Sequence, residues 1–302
     1  MKTILDPILF LTVAAIGVAQ LQIASAEEPI PAQGFNTGER ETKARLSQAM
    51  TLHASFDEGL DADFARGDKT CYVVKGQELV KAEPTNDVRL APEAGRFGGA
   101  LHFTKKSDFR PVFKDEGVLD YNGKNWSASV AVWLRLNPEE DLEPGYCDPV
   151  QIVGDDSNNG FIFLEWSKDE TPRFFRYAIR PVVDIWNPES VPWDEIPVNK
   201  RPMVQVERAP FSRETWTHVV FTLENINDKS KRQIGRLYLN SKPQGTIENW
   251  DLTFRWDPSR VLLVLGAAYV GHMDDVAVFD RALTPDEVKE LYGLKQGARE
   301  LR

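Results

Sequence analysis

The chain has 302 residues, which is long enough for one large domain with a sizeable hydrophobic core. It carries 36 Lys and Arg residues against 46 Asp and Glu residues, a net charge of −10. Because no basic stripe offsets this acidic balance, we expect neither nucleic acid nor anionic membrane as a partner.

The N-terminus has the layout of a secretory leader. A basic start at Lys2 precedes an apolar run from Ile8 to Ile23, and Ala24-Ser25-Ala26 then forms the small-x-small pattern that precedes a signal-peptidase cut. A retained membrane anchor is the alternative, but it needs about 20 apolar residues without a cleavage site. We therefore expect residues 1–26 to be a signal peptide. The mature chain is then secreted (periplasmic or extracellular), with no membrane insertion after cleavage.

Residues 27–50 are mainly polar, with prolines early and charges later. This composition predicts a polar linker that contains a short helix over Glu39–Gln48. The globular domain is expected to occupy residues 51–302.

From there the dominant signal is short strands separated by turn residues. In Trp126–Leu136 the apolar residues fall on alternate positions, and Trp216–Leu223 is rich in β-branched and aromatic residues. Further strand-like runs are Leu52–Phe56, Ala100–Phe103, Val150–Val153, Phe161–Glu165, Phe174–Ile179, Gly235–Leu239, Val261–Leu265 and Met273–Phe279. Many strands with almost no helix predict an all-β fold, a two-sheet antiparallel sandwich.

One short helix is expected at the C-terminal end of the domain. Thr284 has the position of an N-cap, Pro285 follows as the first helical residue, and Glu287 completes a capping box. Val288 and Leu291 supply an apolar face.

A proline-rich segment, residues 181–210, interrupts the rhythm of the strands. It holds six of the chain's 19 prolines, so it is not a central strand but an excursion from the sandwich. Trp186, Trp193 and Tyr177 offer flat faces on which sugar rings could stack, and Arg176 could bind polar groups. The alternative is that the two tryptophans pin the excursion to the sandwich.

The chain has two cysteines, Cys71 and Cys147. In an oxidising compartment an even pair is a candidate disulfide, and two separate free thiols are the alternative.

Several motifs, in order along the chain, resemble those of laminin-G-like jelly-roll domains, which have the concanavalin A-like lectin and glucanase fold. They are Phe56-Asp57, Gly98–Phe103, Ser129–Trp133, Trp216–Phe221, Gly235–Asn240, Val264–Gly266, Tyr269–Val276 and Phe279–Val288. The resemblance implies a two-sheet jelly roll whose first and last strands lie close together. It also implies a frequent carbohydrate or protein ligand, but no single activity.

A calcium site is the sharpest expectation that follows from the resemblance, because in such domains the ion often bridges the ends of the first and last strands. Asp57 and Asp274 are the first candidates, with Asp275 and Asp68 beside them, since calcium prefers carboxylate oxygens. Asp274 has the strand parity of Val276, which predicts an inward side chain. The alternative is that Asp274 accepts hydrogen bonds from backbone amides or pairs with Arg281 while the other carboxylates are solvated.

Motifs for catalysis are missing. Glucanases that this chain resembles carry a Glu-x-Asp-x-x-Glu run on one strand, but here Glu165 has no carboxylate partner in such a run. Lyases of this fold carry Gln-Ile-His on one strand, but here Val153 follows Gln151-Ile152. The sequence therefore predicts a secreted, non-catalytic module that binds a glycan or polysaccharide, with calcium as a candidate cofactor. One alternative is a structural or adhesive module that binds an envelope or extracellular protein. The other is a glycan-active hydrolase or lyase whose catalytic residues are unrecognised.

Overall fold

A computed structural model describes residues 37–302; the predicted signal peptide and the start of the predicted linker lie outside them. The strands are β1 Met50–Ala54, β2 Phe64–Ala65, β3 Tyr72–Lys75, β4 Glu78–Lys81, β5 Val88–Ala91, β6 Ala100–Phe103, β7 Val112–Lys114, β8 Trp126–Arg135, β9 Cys147–Val153, β10 Phe161–Trp166, β11 Phe175–Arg180, β12 Met203–Val206, β13 Thr217–Ile226, β14 Ile234–Leu239, β15 Lys242–Ile247, β16 Leu262–Ala267 and β17 Gly271–Phe279. The α-helices are α1 Thr37–Ala49, α2 Pro138–Asp141, α3 Val183–Trp186 and α4 Pro285–Gly293. The 3-10 helices are Ser157–Asn159, Trp193–Glu195, Val198–Lys200, Pro258–Arg260 and Gly297–Leu301.

The strands form two antiparallel sheets, which confirms the predicted jelly-roll sandwich. Sheet A has the order β15-β14-β13-β8-β17-β1-β2, with β6 also paired to β17 and β5 to β6. Sheet B has the order β12-β11-β10-β9-β16-β7-β3-β4. The first strand pairs with the last, as the resemblance implied, because Leu52 lies opposite Val278.

Alternate residues of the strands fill the space between the sheets. On β8, Val130 and Val132 enter this core, where they meet residues of sheet B such as Ile152 and Leu164. Each fully buried side chain of this size stabilises the fold by about 1.5–3 kcal/mol relative to an exposed one. The alternation read from the sequence of β8 therefore places the core.

Sheet A is also buried on its outer face. Ala131 of β8 and Val220 of β13 point away from the main core and pack in a second apolar cluster with Leu46 of α1, Leu291 of α4 and Leu301 of the last 3-10 helix. The part of the predicted linker from Thr37 to Ala49 is therefore a helix that belongs to the domain.

The capping box predicted for α4 is present. The Thr284 hydroxyl accepts the Glu287 N–H, and the Glu287 carboxylate accepts the Thr284 N–H. The buried carboxylate of Glu287 is also held by Arg281, and these contacts outweigh its burial and lower its pKa to about 2. The cap thus fixes where α4 begins on sheet A. No helix within residues 37–302 has the length and apolar character needed to cross a membrane.

The predicted disulfide is absent: Cys71 and Cys147 are both free and buried. Cys71 directly precedes β3, whereas Cys147 opens β9, and β16 and β7 lie between these two strands in sheet B. Three strand spacings amount to about 14 Å, but a disulfide needs Cα atoms within about 7 Å. Burial raises the pKa of both thiols, to about 12 for Cys71, so neither is primed for oxidation.

The contact of α1 with sheet A predicts the effect of one substitution. Leu46→Ala is expected to lower the free energy of unfolding by about 2–5 kcal/mol, because it leaves a cavity between helix and sheet. Chemical denaturation of this variant and of Ser47→Ala, whose side chain is exposed on the same helix, measures the effect. Equal stabilities would show that α1 does not pack on the domain.

Candidate functional site

The proline-rich excursion leaves the sandwich after β11 and returns to it as β12. Between these strands it forms α3 and two 3-10 helices, Trp193–Glu195 and Val198–Lys200. β12 then pairs antiparallel with β11 at the edge of sheet B. The excursion therefore begins at the end of β11 and returns to lie along β11, beside the outer face of sheet B.

The two predicted stacking tryptophans of the excursion contact the protein itself. Their rings lie 5.7 Å apart, and Trp193 packs edge-on against Phe163 of β10. The guanidinium groups of Arg180 and Arg201 lie 5.4 and 4.8 Å from the Trp193 ring. The geometry matches the alternative in which the tryptophans pin the excursion.

Tyr177 is not available to a ligand, contrary to the prediction. It is fully buried because it lies opposite Leu164 in the register of β10 and β11, on the face that enters the core. Its hydroxyl donates to the Thr222 carbonyl across the sandwich. Tyr177 is thus a core residue.

Arg176, next to it, points to the opposite face and borders a cavity of about 240 Å³. Its guanidinium donates to Glu165, Glu170 and Gln205 at 3.0–3.2 Å. The cavity, here called the excursion cavity, is lined by Tyr146, Lys168, Asp169, Glu170, Phe174, Arg176, Asp194, Val198, Arg201 and Gln205. Of the four predicted ligand-binding residues, Arg176 is the one that lines it.

The excursion cavity combines aromatic rings with fixed polar groups. The Tyr146 hydroxyl donates to Asp194, which Lys168 also binds, and the Lys168 ammonium lies 5.4 Å from the Tyr146 ring. Phe174 adds a second, half-buried ring. Aromatic rings offer faces on which a ligand can stack, and the donors and acceptors beside them can bind its polar groups.

A carboxyl pair that sequence reasoning missed lies next to this site. Glu165 has no carboxylate partner on its own strand, but Asp148 lies on the neighbouring strand β9, where the pairing with β10 is irregular. Burial raises the pKa of Asp148 to about 7, and burial together with the charge of Asp148 raises that of Glu165 to about 8. Only the strand register could have revealed this pair. Neither residue lines the excursion cavity.

The predicted calcium ligands of β17 are rearranged by a β-bulge. Asp275 has φ +53°, and the register with β8 shifts between Asp274 and Ala277. This extra residue reverses the parity, so Asp274 lies opposite Trp133, whose ring faces α4, and not inward with Val276. The prediction of an inward Asp274 was wrong for this reason.

The carboxylates at this end of the sandwich are held by N–H donors. Asp57 accepts the Gly99 N–H at 2.7 Å and the Arg299 guanidinium at 2.6 Å. Asp274 accepts the N–H groups of Arg96 and Phe97 at 2.6 and 3.0 Å. These contacts join β17 and the segment after β1 to the 95–99 loop.

The other two predicted ligands have partners of their own. Asp275 contacts the imidazole of His53 at 2.7 Å and accepts the Ala298 N–H. Asp68 is bound instead by Tyr72 and Lys114 of sheet B. The structure therefore gathers Asp57, Asp274 and Asp275 near the last strand but not Asp68.

This arrangement does not fit a calcium ion. Calcium takes six to eight oxygen ligands, but both Asp57 oxygens already accept N–H groups. The Arg299 guanidinium also binds the Phe97 carbonyl at 2.6 Å, so it takes the place of a cation between these oxygens. Across residues 37–302 no group of three or more His, Cys, Asp or Glu residues is arranged to hold a metal. Calcium stays a prediction that the donor geometry disfavours.

The architecture is that of a lectin-like jelly-roll domain. A sequence profile described as the concanavalin A-like lectin/glucanases superfamily matches residues 116–289, more than half of the chain. The chain belongs to this superfamily. In a comparison with curated proteins, none matches the sequence.

Solved structures with a similar fold have low sequence identity to this chain. Domain 4 of AbnA, a GH43 extracellular arabinanase from Geobacillus stearothermophilus, in complex with arabinotriose, is 17% identical with a TM-score of 0.46, over 80% of this chain and 97% of that one. The receptor binding domain of botulinum neurotoxin D is 11% identical with a TM-score of 0.46, over 74% of this chain and 51% of that one. The serotype D domain in complex with N-acetylneuraminic acid is 13% identical with a TM-score of 0.44, over 74% and 50%. This chain thus spans about half the length of the toxin domains, and the likeness concerns the fold alone.

The contacts of Arg299 predict that the fold does not depend on calcium. Arg299→Gln is expected to lower the free energy of unfolding by about 1–3 kcal/mol, because it leaves Asp57 without its charged partner. Thermal unfolding with calcium and with chelator should give the same loss and no shift for the unmodified protein. A calcium-dependent rise of the unfolding temperature of the unmodified protein would contradict this assignment.

The burial of Asp148 predicts a pH dependence of stability. Its pKa is about 7 when folded and about 3.9 when unfolded, so between these values the folded protein binds a proton that the unfolded chain does not. Stability contributed by this group is therefore present below about pH 4 and is lost as the pH rises towards 7, by at most about 4 kcal/mol. Chemical denaturation across this pH range should show that the free energy of unfolding falls less with rising pH in Asp148→Asn than in the unmodified protein. Asp155→Asn, which changes an exposed carboxylate nearby, should keep the original slope; identical slopes for the two variants would refute the assignment.

Proposed function

We propose that this protein is a secreted, non-catalytic carbohydrate-binding module and that the excursion cavity is its sugar site. The observation that carries the proposal is the lining of this cavity, in which the rings of Tyr146 and Phe174 adjoin converging donors and acceptors. A volume of about 240 Å³ corresponds to roughly eight water molecules, so the site suits a single sugar unit of a chain.

The charges of the lining favour a neutral sugar. Lys168, Arg176 and Arg201 are balanced by Asp169, Glu170 and Asp194. Sugar hydroxyls both donate and accept hydrogen bonds, so a mixed set of ammonium, guanidinium, amide and carboxylate groups suits them. An anionic or cationic ligand would gain little from this balance.

The state of the nearby carboxyl groups supports a role in binding and not in hydrolysis. Sugar hydrolysis uses two carboxyl groups that flank the bond, one with a raised pKa that acts as the acid. Within the cavity, hydrogen bonds from Lys168 and Tyr146 lower the pKa of Asp194. For Glu170, burial raises the pKa, but hydrogen bonds from Ser167 and from the backbone together with the charge of Arg176 outweigh it, so the pKa is lowered. The groups with raised values, Asp148 and Glu165, do not line the cavity.

A glycan array tests the proposal. The mature protein is expected to bind a class of neutral glycans, and Phe174→Ala should weaken that binding about tenfold because it removes a ring from the site. Trp250→Ala serves as the control, since Trp250 lines a different cavity beside Lys229. Calorimetry with the glycan that binds best on the array measures the ratio of the dissociation constants of each variant and the unmodified protein.

Two outcomes would contradict the proposal. Absence of binding to every neutral glycan would favour a structural module that binds an envelope protein. Turnover of a soluble glycan would show an enzyme, and loss of that turnover in Glu165→Gln would place its chemistry in the buried pair.

A further inference from the structure

A row of basic and aromatic side chains crosses the outer face of sheet A. Arg89 of β5 lies opposite His102 of β6, His102 opposite His272 of β17, and His272 opposite Arg135 of β8. Trp216, which precedes β13, continues the row beside Arg135. We call these five residues the Arg–His row.

Four members of the row are linked by contacts between their side chains: His102, His272, Trp216 and Arg135. The imidazole rings of His102 and His272 are stacked, with centroids 4.0 Å apart and planes 9° apart. The Arg135 guanidinium lies 4.8 Å from the Trp216 ring, which meets His272 edge-on at 6.4 Å. Neighbouring strands lie about 4.8 Å apart, so the backbone positions of the row span about 19 Å, and those of Arg89 and Arg135 lie about 14 Å apart.

The polar groups of the row have no partner in the described part of the chain. Neither Arg89 nor Arg135 forms a hydrogen bond or ion pair there, and the same holds for the two imidazoles. Asp141, whose charge acts on both imidazoles, is itself held by Arg213. In a chain with a net charge of −10, two cations on one sheet face without carboxylate partners are unusual.

The face that carries the row is accessible. Arg89 is exposed and the other four side chains are half-buried. The helices that cover sheet A pack on Ala131, Val220 and Ala277, whose cluster does not include the row. An elongated ligand could therefore lie across the strands along the row.

Charge and shape together define the ligand. Burial, followed by the charges of Arg89 and Arg135, lowers the pKa of His102, and that of His272 is lowered to about 4. Both imidazoles are thus neutral at pH 7, each with one donor and one acceptor nitrogen. The row then presents a positive charge on each side of a neutral, hydrogen-bonding centre, with an indole at one end.

We propose that the Arg–His row binds an acidic polysaccharide, with Arg89 and Arg135 each bound to one anionic group of the chain. Guanidinium groups form strong paired hydrogen bonds with carboxylate and sulfate oxygens. The hydroxyl groups between two such anions face the imidazole nitrogens. This site lies on sheet A, whereas the excursion cavity with its balanced charges lies on sheet B, so it goes beyond the proposed function.

Calorimetry with three polymers tests the inference: polygalacturonate, which carries carboxylates, dextran sulfate, which carries sulfates, and neutral dextran. One or both acidic polymers should bind and dextran should not bind to the row; the stronger of the two identifies the anion. Because the arginines are about 14 Å apart, free galacturonic acid should bind at least about tenfold more weakly than polygalacturonate.

Single substitutions distinguish binding at the Arg–His row from nonspecific electrostatic attraction to the protein surface. Arg89→Ala and Arg135→Ala should each weaken the binding of the acidic polymer about tenfold. Arg255→Ala removes the same charge from another exposed position and should have no such effect. Phe174→Ala should leave this binding unchanged, so failure here and failure of the proposed sugar site are distinguishable. Arg89 is exposed on an edge strand, so its variant reports on binding without a loss of fold.

The inference would be overturned if neither acidic polymer bound, or if Arg255→Ala weakened binding as much as Arg89→Ala did. Equal or tighter binding of a single-stranded oligonucleotide would also overturn it, because the site would then recognise phosphate backbones.

Discussion

The need to bury sheet A on both faces governs the rest of the structure. Its central strands carry apolar residues at alternate positions toward sheet B, and smaller apolar residues such as Ala131 and Val220 on the other side. α1, α4 and the last 3-10 helix must therefore pack on the outer face. The same packing brings Arg299 to Asp57, which ties the C-terminal segment to the loop after the first strand and closes the end of the sandwich where a cation was expected.

Among the described residues, two surfaces that these helices leave uncovered are the proposed ligand sites. On sheet B, the excursion is pinned by Trp186 and Trp193, and this leaves a small cavity beside Arg176. On sheet A, the part beyond the helices carries the Arg–His row. The cavity has balanced charges and the row is cationic, so the two surfaces suit different classes of sugar. Because the chain as a whole is acidic, a cationic row on its surface is unusual, and binding of an anionic sugar would explain it.

Much of the fold could be predicted because its signals are local. Alternation marks β8, and the Thr284 capping box marks α4. Short strands such as β3 and β4 were missed, since four residues with partly exposed side chains carry little pattern.

The site residues could not be predicted as well, because their positions depend on contacts between residues that are distant in the sequence. The bulge at Asp275 reverses the parity of Asp274, and the Asp148–Glu165 pair exists only through the register of two strands. Periodicity alone contains neither.

Hydrogen–deuterium exchange of the whole mature protein tests whether a neutral sugar binds in the excursion cavity. Exchange would be measured with and without the neutral glycan that binds best. If the sugar binds there, exchange should slow in the segments that line the cavity, residues 168–176 and 194–205, and should not change in β5 and β6. Protection on β5 and β6 alone, or no protection in the two cavity segments despite saturating glycan, would contradict it.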